Sequence, residues 1–139
     1  MIVFNFNDVG FDFSEYEHRT WLQKVINSEG KNEGEINYIF CTDEYLLDLN
    51  KQFLDHDTLT DIITFDNSLG SLLGADIFIS TERVADNAKD FKVSFDEELS
   101  RVLVHGVLHL CGYKDKTDSD QELMTNKEDE KMHMFHVEL

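Results

Sequence analysis

The chain opens on alternation. MIVFNF trades apolar for polar positions and reads as a strand. SEYE at Ser14–Glu17 then has the spacing of a capping box, which starts a helix that runs to about Gly30. EINYIFC (35–41) is a second strand, and Thr42 or Asp43 caps a helix through EYLLDLNKQFL. DIITF (61–65) and ADIFIS (75–80) are β-branched and aromatic, so both read as strands. The short, Gly-punctuated NSLGSLLG between them favours hairpin-like neighbours. Ser80 or Thr81 caps a helix to about Phe91. Ser94 with Glu97 forms a second capping box, which opens a helix over FDEELSRVLVHGVLHLC that Gly112 can end. A last helix spans about 118–137 from an Asp or Ser cap. Strands give way to helices along the chain. That order predicts an α+β domain over residues 1–139, a small mixed four-stranded sheet covered by about five helices.

Composition supports that picture. A chain of 139 residues with 41% hydrophobic residues and 11 Phe can bury a core without disulfides. Cys41 and Cys111 each sit in an apolar run and read as buried free thiols; nothing points to secretion. MIVFNFNDVG carries no basic leader region, and no apolar run has membrane-spanning length, so the expectation is a cytoplasmic, monomeric protein without membrane contact. The formal charge of -17 argues against broad charge-driven binding to nucleic acid. Any such contact has to use a local basic patch or a bound cation.

The chemistry concentrates in HGVLHLCGYKD, residues 105–115. His105 and His109 are four apart, so on a helix they share a face with Cβ atoms about 6 Å apart. That geometry suits two imidazoles gripping one metal ion. Gly112 lets the chain leave the helix in a left-handed turn, which can swing Asp115 back towards the same ion. Two nitrogens and one carboxylate oxygen leave a tetrahedral position open for a water that the metal acidifies. A metalloprotease helix would place Glu after the first histidine; here Gly106 stands there, so the peptidase base is missing.

The same segment resembles the HGxLHLxGYDH signature of the YbeY family, the rRNA-maturation endoribonucleases. LNKQFLDHDTLTDIITF (49–65) is similar to the family's LNxxYRxxDxxTDVLSF stretch, and GADIFIS (74–80) to its GDIxIS strand. The resemblance covers most of the chain. It implies one Zn2+ or another divalent ion per chain, held by His105, His109 and Asp115. It further implies cleavage of single-stranded RNA, with 16S rRNA 3′-end maturation and the ribosomal small subunit as the setting. Thr60, Asp61 and Thr64 match the family's groove-lining stretch, where they would orient RNA or support ligands; turn chemistry at a strand end explains them equally well.

Two positions depart from the pattern. Asp115 replaces the family's third histidine, which lowers the net charge of the site from +2 to +1 and favours harder metals. Leu54 stands where the family has an arginine suited to gripping phosphate. Lys51, Lys114 and Lys116 are the cations that would have to replace it. Three functions therefore compete. They are a metal-dependent endoribonuclease, a non-catalytic ribosome-assembly factor with a structural metal, and a metallohydrolase of another substrate. Leu54 and the acidic charge speak for the second; the open three-ligand site speaks for the first.

Other polar residues have plainer readings. Asp76 reads as a cap or hydrogen-bond partner, and Glu97 and Glu98 as helix-start residues. His133 and His136 read as surface or tail-packing residues, and His56 as an exposed loop residue. The run NKEDEK (126–131) reads as a solvated helix face.

Overall fold

The computed structural model describes residues 1–55 and 59–138, with side chains through 135. His56 and the His136 side chain lie outside that range. The element order is β1 (Ile2–Phe6), α1 (Glu15–Ser28), β2 (Asn32–Cys41), α2 (Asp43–Leu54), β3 (Ile62–Asp66), β4 (Leu72–Ser80), α3 (Thr81–Phe91), α4 (Phe95–Leu110) and α5 (Asp118–Glu138). The strands form one sheet in the order β1-β2-β4-β3. β1 and β4 both run parallel to β2, and β3 is the antiparallel edge. The mixed four-stranded sheet and its five helices match the expected α+β class.

Alternation along the strands separates two faces. Phe4, Tyr38, Phe40, Ala75, Ile77 and Ile79 point into the main core, beneath α1, α4 and α5. Cys41, Ile63, Phe65 and Phe78 point to the other side, where Leu46 and Leu49 of α2 cover them. β3 therefore presents Ile62 and Thr64 towards α4 and Ile63 and Phe65 towards α2.

The helix ends follow sequence chemistry with two exceptions. Thr42, Ser80 and Ser94 each accept a hydrogen bond from the backbone N–H three residues on. Ser14 occupies the N-cap position of α1, but its side chain makes no capping bond. Its carbonyl instead accepts from His18 Nδ1 at 2.8 Å. The cap of α5 is Thr117, whose Oγ1 accepts from the Asp120 N–H at 3.1 Å, and not Asp or Ser.

Helix α4 carries the site and is buried nearly all round. Leu99, Val102, Leu103, Val104, Val107, Leu108 and Leu110 all lie in the core, each contributing about 1.5–3 kcal/mol of transfer free energy. Gly106 explains how it sits so close to the sheet. A Cβ there would lie 3.2 Å from Ile62 Cδ1 and 3.3 Å from Ile77 Cδ1. The residue that rules out a peptidase base thus also sets the distance between helix and sheet. Both thiols are free; Cys41 is buried and Cys111 only half-buried. Burial pushes them up to about 12 and about 11, so neither is a nucleophile near neutral pH.

Candidate metal centre

His105 and His109 stand on consecutive turns at the C-terminal end of α4. The helix then closes in a Schellman motif. Gly112, at φ 106°, donates to the His109 carbonyl at 3.0 Å, and Tyr113 N–H donates to the Leu108 carbonyl at 3.1 Å. This turn brings Asp115 back over the helix end. Asp115 Oδ2 lies 3.2 Å from His109 Nε2 and 3.4 Å from His105 Nε2, and the two Nε2 atoms are 2.9 Å apart. Three donors on a tetrahedral ion, each about 2.0–2.1 Å from it, would be ~3.3 Å apart. The observed triangle has nearly those sides. Among the described residues these three are the group whose donor atoms converge as a metal's ligands do.

The outer partners set which nitrogens are available. His109 Nδ1 lies 2.9 Å from the Tyr113 carbonyl, which can only accept, so the proton sits on Nδ1 and the Nε2 lone pair faces Asp115. His105 Nδ1 donates to Glu128 Oε2 at 2.6 Å, with the same consequence for its Nε2. Two neutral imidazoles then point lone pairs at each other and at a carboxylate. That arrangement repels itself unless a cation or a proton lies in the middle, so the donor set fits a divalent ion. Burial opposes charge on His105. The Glu128 hydrogen bond, the Glu128 charge, Asp115 and Asp61 together outweigh it and raise the pKa.

The centre opens into a cleft of about 850 Å³ between α4 and the edge strand β3. Thr60, Asp61, Thr64 and Lys116 line it. Lys51 and Lys114 are exposed and do not line the cleft. Thr60 also plays its turn role, donating from Oγ1 to the Ile62 carbonyl at 3.3 Å. Leu54 lies on the cleft wall, 43% exposed. Asp76 is away from the cleft and accepts from Asn37 Nδ2 at 3.1 Å. His133 is exposed on α5, as expected.

Sequence reasoning missed a charged cluster behind His105. Glu128 was expected on a solvated face, yet it is 7% exposed and bonded to His105. Arg101 Nη1 donates to its other oxygen at 2.9 Å. Glu98, expected to serve only the helix start, lines a second, smaller cavity with Asp61, Arg101 and Glu128. Burial, then the Asp61 charge, push its carboxyl up to about 7. Burial also raises Asp61. The signal was present in the spacing. Glu98, Arg101, His105 and His109 follow each other at intervals of three and four along an otherwise apolar helix. Glu128 lies midway between the buried Met124 and Met132.

Comparison with known proteins identifies the family. A family model described as Endoribonuclease YbeY matches residues 4–136. The chain is 62% identical to the Endoribonuclease YbeY of Flavobacterium johnsoniae over 138 residues, covering 99% of each chain. It is 46% identical to the Endoribonuclease YbeY of Bacteroides thetaiotaomicron, covering 88% of this chain and 90% of that one. The solution structure of TM1509 from Thermotoga maritima is similar at a TM-score of 0.69 and 26% identity, over 99% of this chain and 91% of that one. With a match along nearly its whole length, the chain belongs to the YbeY endoribonuclease family.

Proposed function

We propose that the protein is a metal-dependent endoribonuclease that hydrolyses phosphodiesters in single-stranded RNA, with one divalent ion, Zn2+ foremost, on His105, His109 and Asp115. The observation that carries this reading is the convergence of three lone-pair donors at 2.9–3.4 Å, with both histidine Nδ1 atoms committed to acceptors. Membership of the YbeY family points the same way. A divalent ion there supplies Lewis acidity at the reacting phosphate.

The chain's own residues supply the rest. The cleft follows the edge strand β3, so an extended single strand can lie along it past the Thr60 and Thr64 hydroxyls. Lys116 brings a positive charge to the wall of the cleft beside Asp115 and has no ion pair among the described residues. It is the cation placed to take the phosphate role that Leu54 leaves vacant. Burial raises the carboxyl pKa values of both Asp61, on the cleft wall, and Glu98, in the smaller cavity behind it. The setting we propose is 16S rRNA maturation on the small subunit, by a monomer in the cytoplasm. No described helix is long and apolar enough to cross a membrane.

Leu54 on the cleft wall favours one other reading, an assembly factor that keeps the metal for structure alone. One assay separates the two. Cleavage of single-stranded RNA should stop with chelator, return with added metal and be absent in His109→Ala. A metal-loaded protein that binds small subunits without cutting RNA would establish the assembly factor instead.

A further inference from the structure

We propose that Arg101 and Glu128 act as a positioning pair for His105, fixing its tautomer and strengthening Nε2 as a donor to the ion. The proposal rests on the metal-centre reading above. Its starting point is a carboxylate in an unexpected place. Glu128 belongs to α5, 23 residues from His105 in sequence, and its side chain is 9% exposed. A buried carboxylate that lacks partners is costly, by several kcal/mol. Here both oxygens are used. Oε2 accepts the His105 Nδ1 proton at 2.6 Å, and Oε1 accepts from Arg101 Nη1 at 2.9 Å.

Arg101 stands one helical turn before His105 on α4, so one helix presents both partners of Glu128. The second nitrogen of its guanidinium donates to Asp129 Oδ1 at 2.7 Å, at the protein surface. The fork therefore clamps two consecutive residues of α5 against α4 and leaves Glu128 one direction for its remaining oxygen, towards His105. A carboxylate on Nδ1–H does two things to an imidazole. It excludes the tautomer with hydrogen on Nε2, and it pushes electron density to Nε2, which makes that nitrogen a better ligand. His109 has only a neutral carbonyl in the corresponding place. The two histidines are thus unequal donors, and His105 is the stronger.

The test compares wild type with Glu128→Gln, Glu128→Ala and Arg101→Gln. Two readouts are used, affinity for Zn2+ alone by chelator competition and 15N NMR of the histidine rings in metal-free protein. Glu128→Ala should weaken Zn2+ binding about 10- to 100-fold, the range usual for loss of an outer partner. Glu128→Gln should weaken it less, and Arg101→Gln least. Metal-free wild type should show His105 with its proton on Nδ1, and Glu128→Ala should show mixed tautomers at His105 and no change at His109. Thermal melts identify any variant that has merely unfolded, and Glu128→Gln, which keeps the shape, serves if Glu128→Ala does not fold. Unchanged Zn2+ affinity and an unchanged His105 ring spectrum in a folded Glu128 variant would overturn the pair. Wild type that binds no Zn2+ would instead overturn the metal centre, and the ring spectra would still decide whether Glu128 sets the tautomer.

Discussion

The two histidines of the centre are held in opposite ways. His109 is held locally. Its Nδ1 proton goes to the carbonyl of Tyr113, four residues on, inside a turn that Gly112 makes available. His105 is held from a distance, by a carboxylate on a helix that the chain reaches only after the site is otherwise complete. The local support is neutral, main-chain and built into the helix end. The distant support is charged and buried, and it depends on α5 docking correctly. Trp21 contributes to that docking, its indole N–H donating to the Lys131 carbonyl at 2.7 Å. Lys131 and Tyr113 in turn share Glu29, at 2.8 and 2.7 Å. A site can therefore look symmetrical at its ligands and be asymmetrical one layer out.

The largest expected effect removes the ligands themselves. His105→Ala and His109→Ala should each lose more than about 100-fold in Zn2+ affinity, beyond what an outer partner is worth. A titration in which one of them retains near-wild-type affinity would break the comparison at its root.

Glu98 tests the distant side by pH. Folding raises its pKa from 4.5 to about 7, so the folded chain holds that proton more tightly than the unfolded chain. The stability this lends is full below the unfolded value and is lost as pH rises through the folded one. Glu98→Gln should therefore gain on the parent as pH climbs from about 5 to about 8, by roughly 1–3 kcal/mol at the top of that range. Denaturant melts at several pH values check this, and a gap that stays constant with pH would contradict it.

Gly112→Val attacks the local side. A β-branched residue at φ 106° is strained by roughly 1–2 kcal/mol and should displace both the Tyr113 carbonyl and Asp115. Lower stability together with weaker Zn2+ binding is the expected pair of results. Tyr113→Phe is the smallest change. It removes the hydroxyl bond to Glu29 and leaves the carbonyl in place, so it should cost about 0.5–1.5 kcal/mol in a melt and leave Zn2+ affinity unchanged.

The same asymmetry explains what the sequence revealed. Much of what is local was legible: the strands from alternation and from β-branched and aromatic runs, the Ser94 cap, the i,i+4 histidines, and Gly112 as the stop that returns Asp115. The edge position of β3 and the extra length of β2 and β4 were not, because pairing partners are chosen across the fold. Glu128 stayed hidden because an acidic run looks solvated until a neighbouring helix supplies both an arginine and an imidazole. Ser14 misled in the other direction, since it has the spacing of a cap but makes no side-chain capping bond.

The central claim is that His105, His109 and Asp115 together hold one ion. Elemental analysis of metal-replete, desalted protein tests it most directly, on wild type beside Asp115→Ala and His133→Ala. The account predicts about one divalent ion per chain in wild type and in His133→Ala, and a clear loss in Asp115→Ala. Wild type without metal, or equal metal in all three proteins, would contradict it.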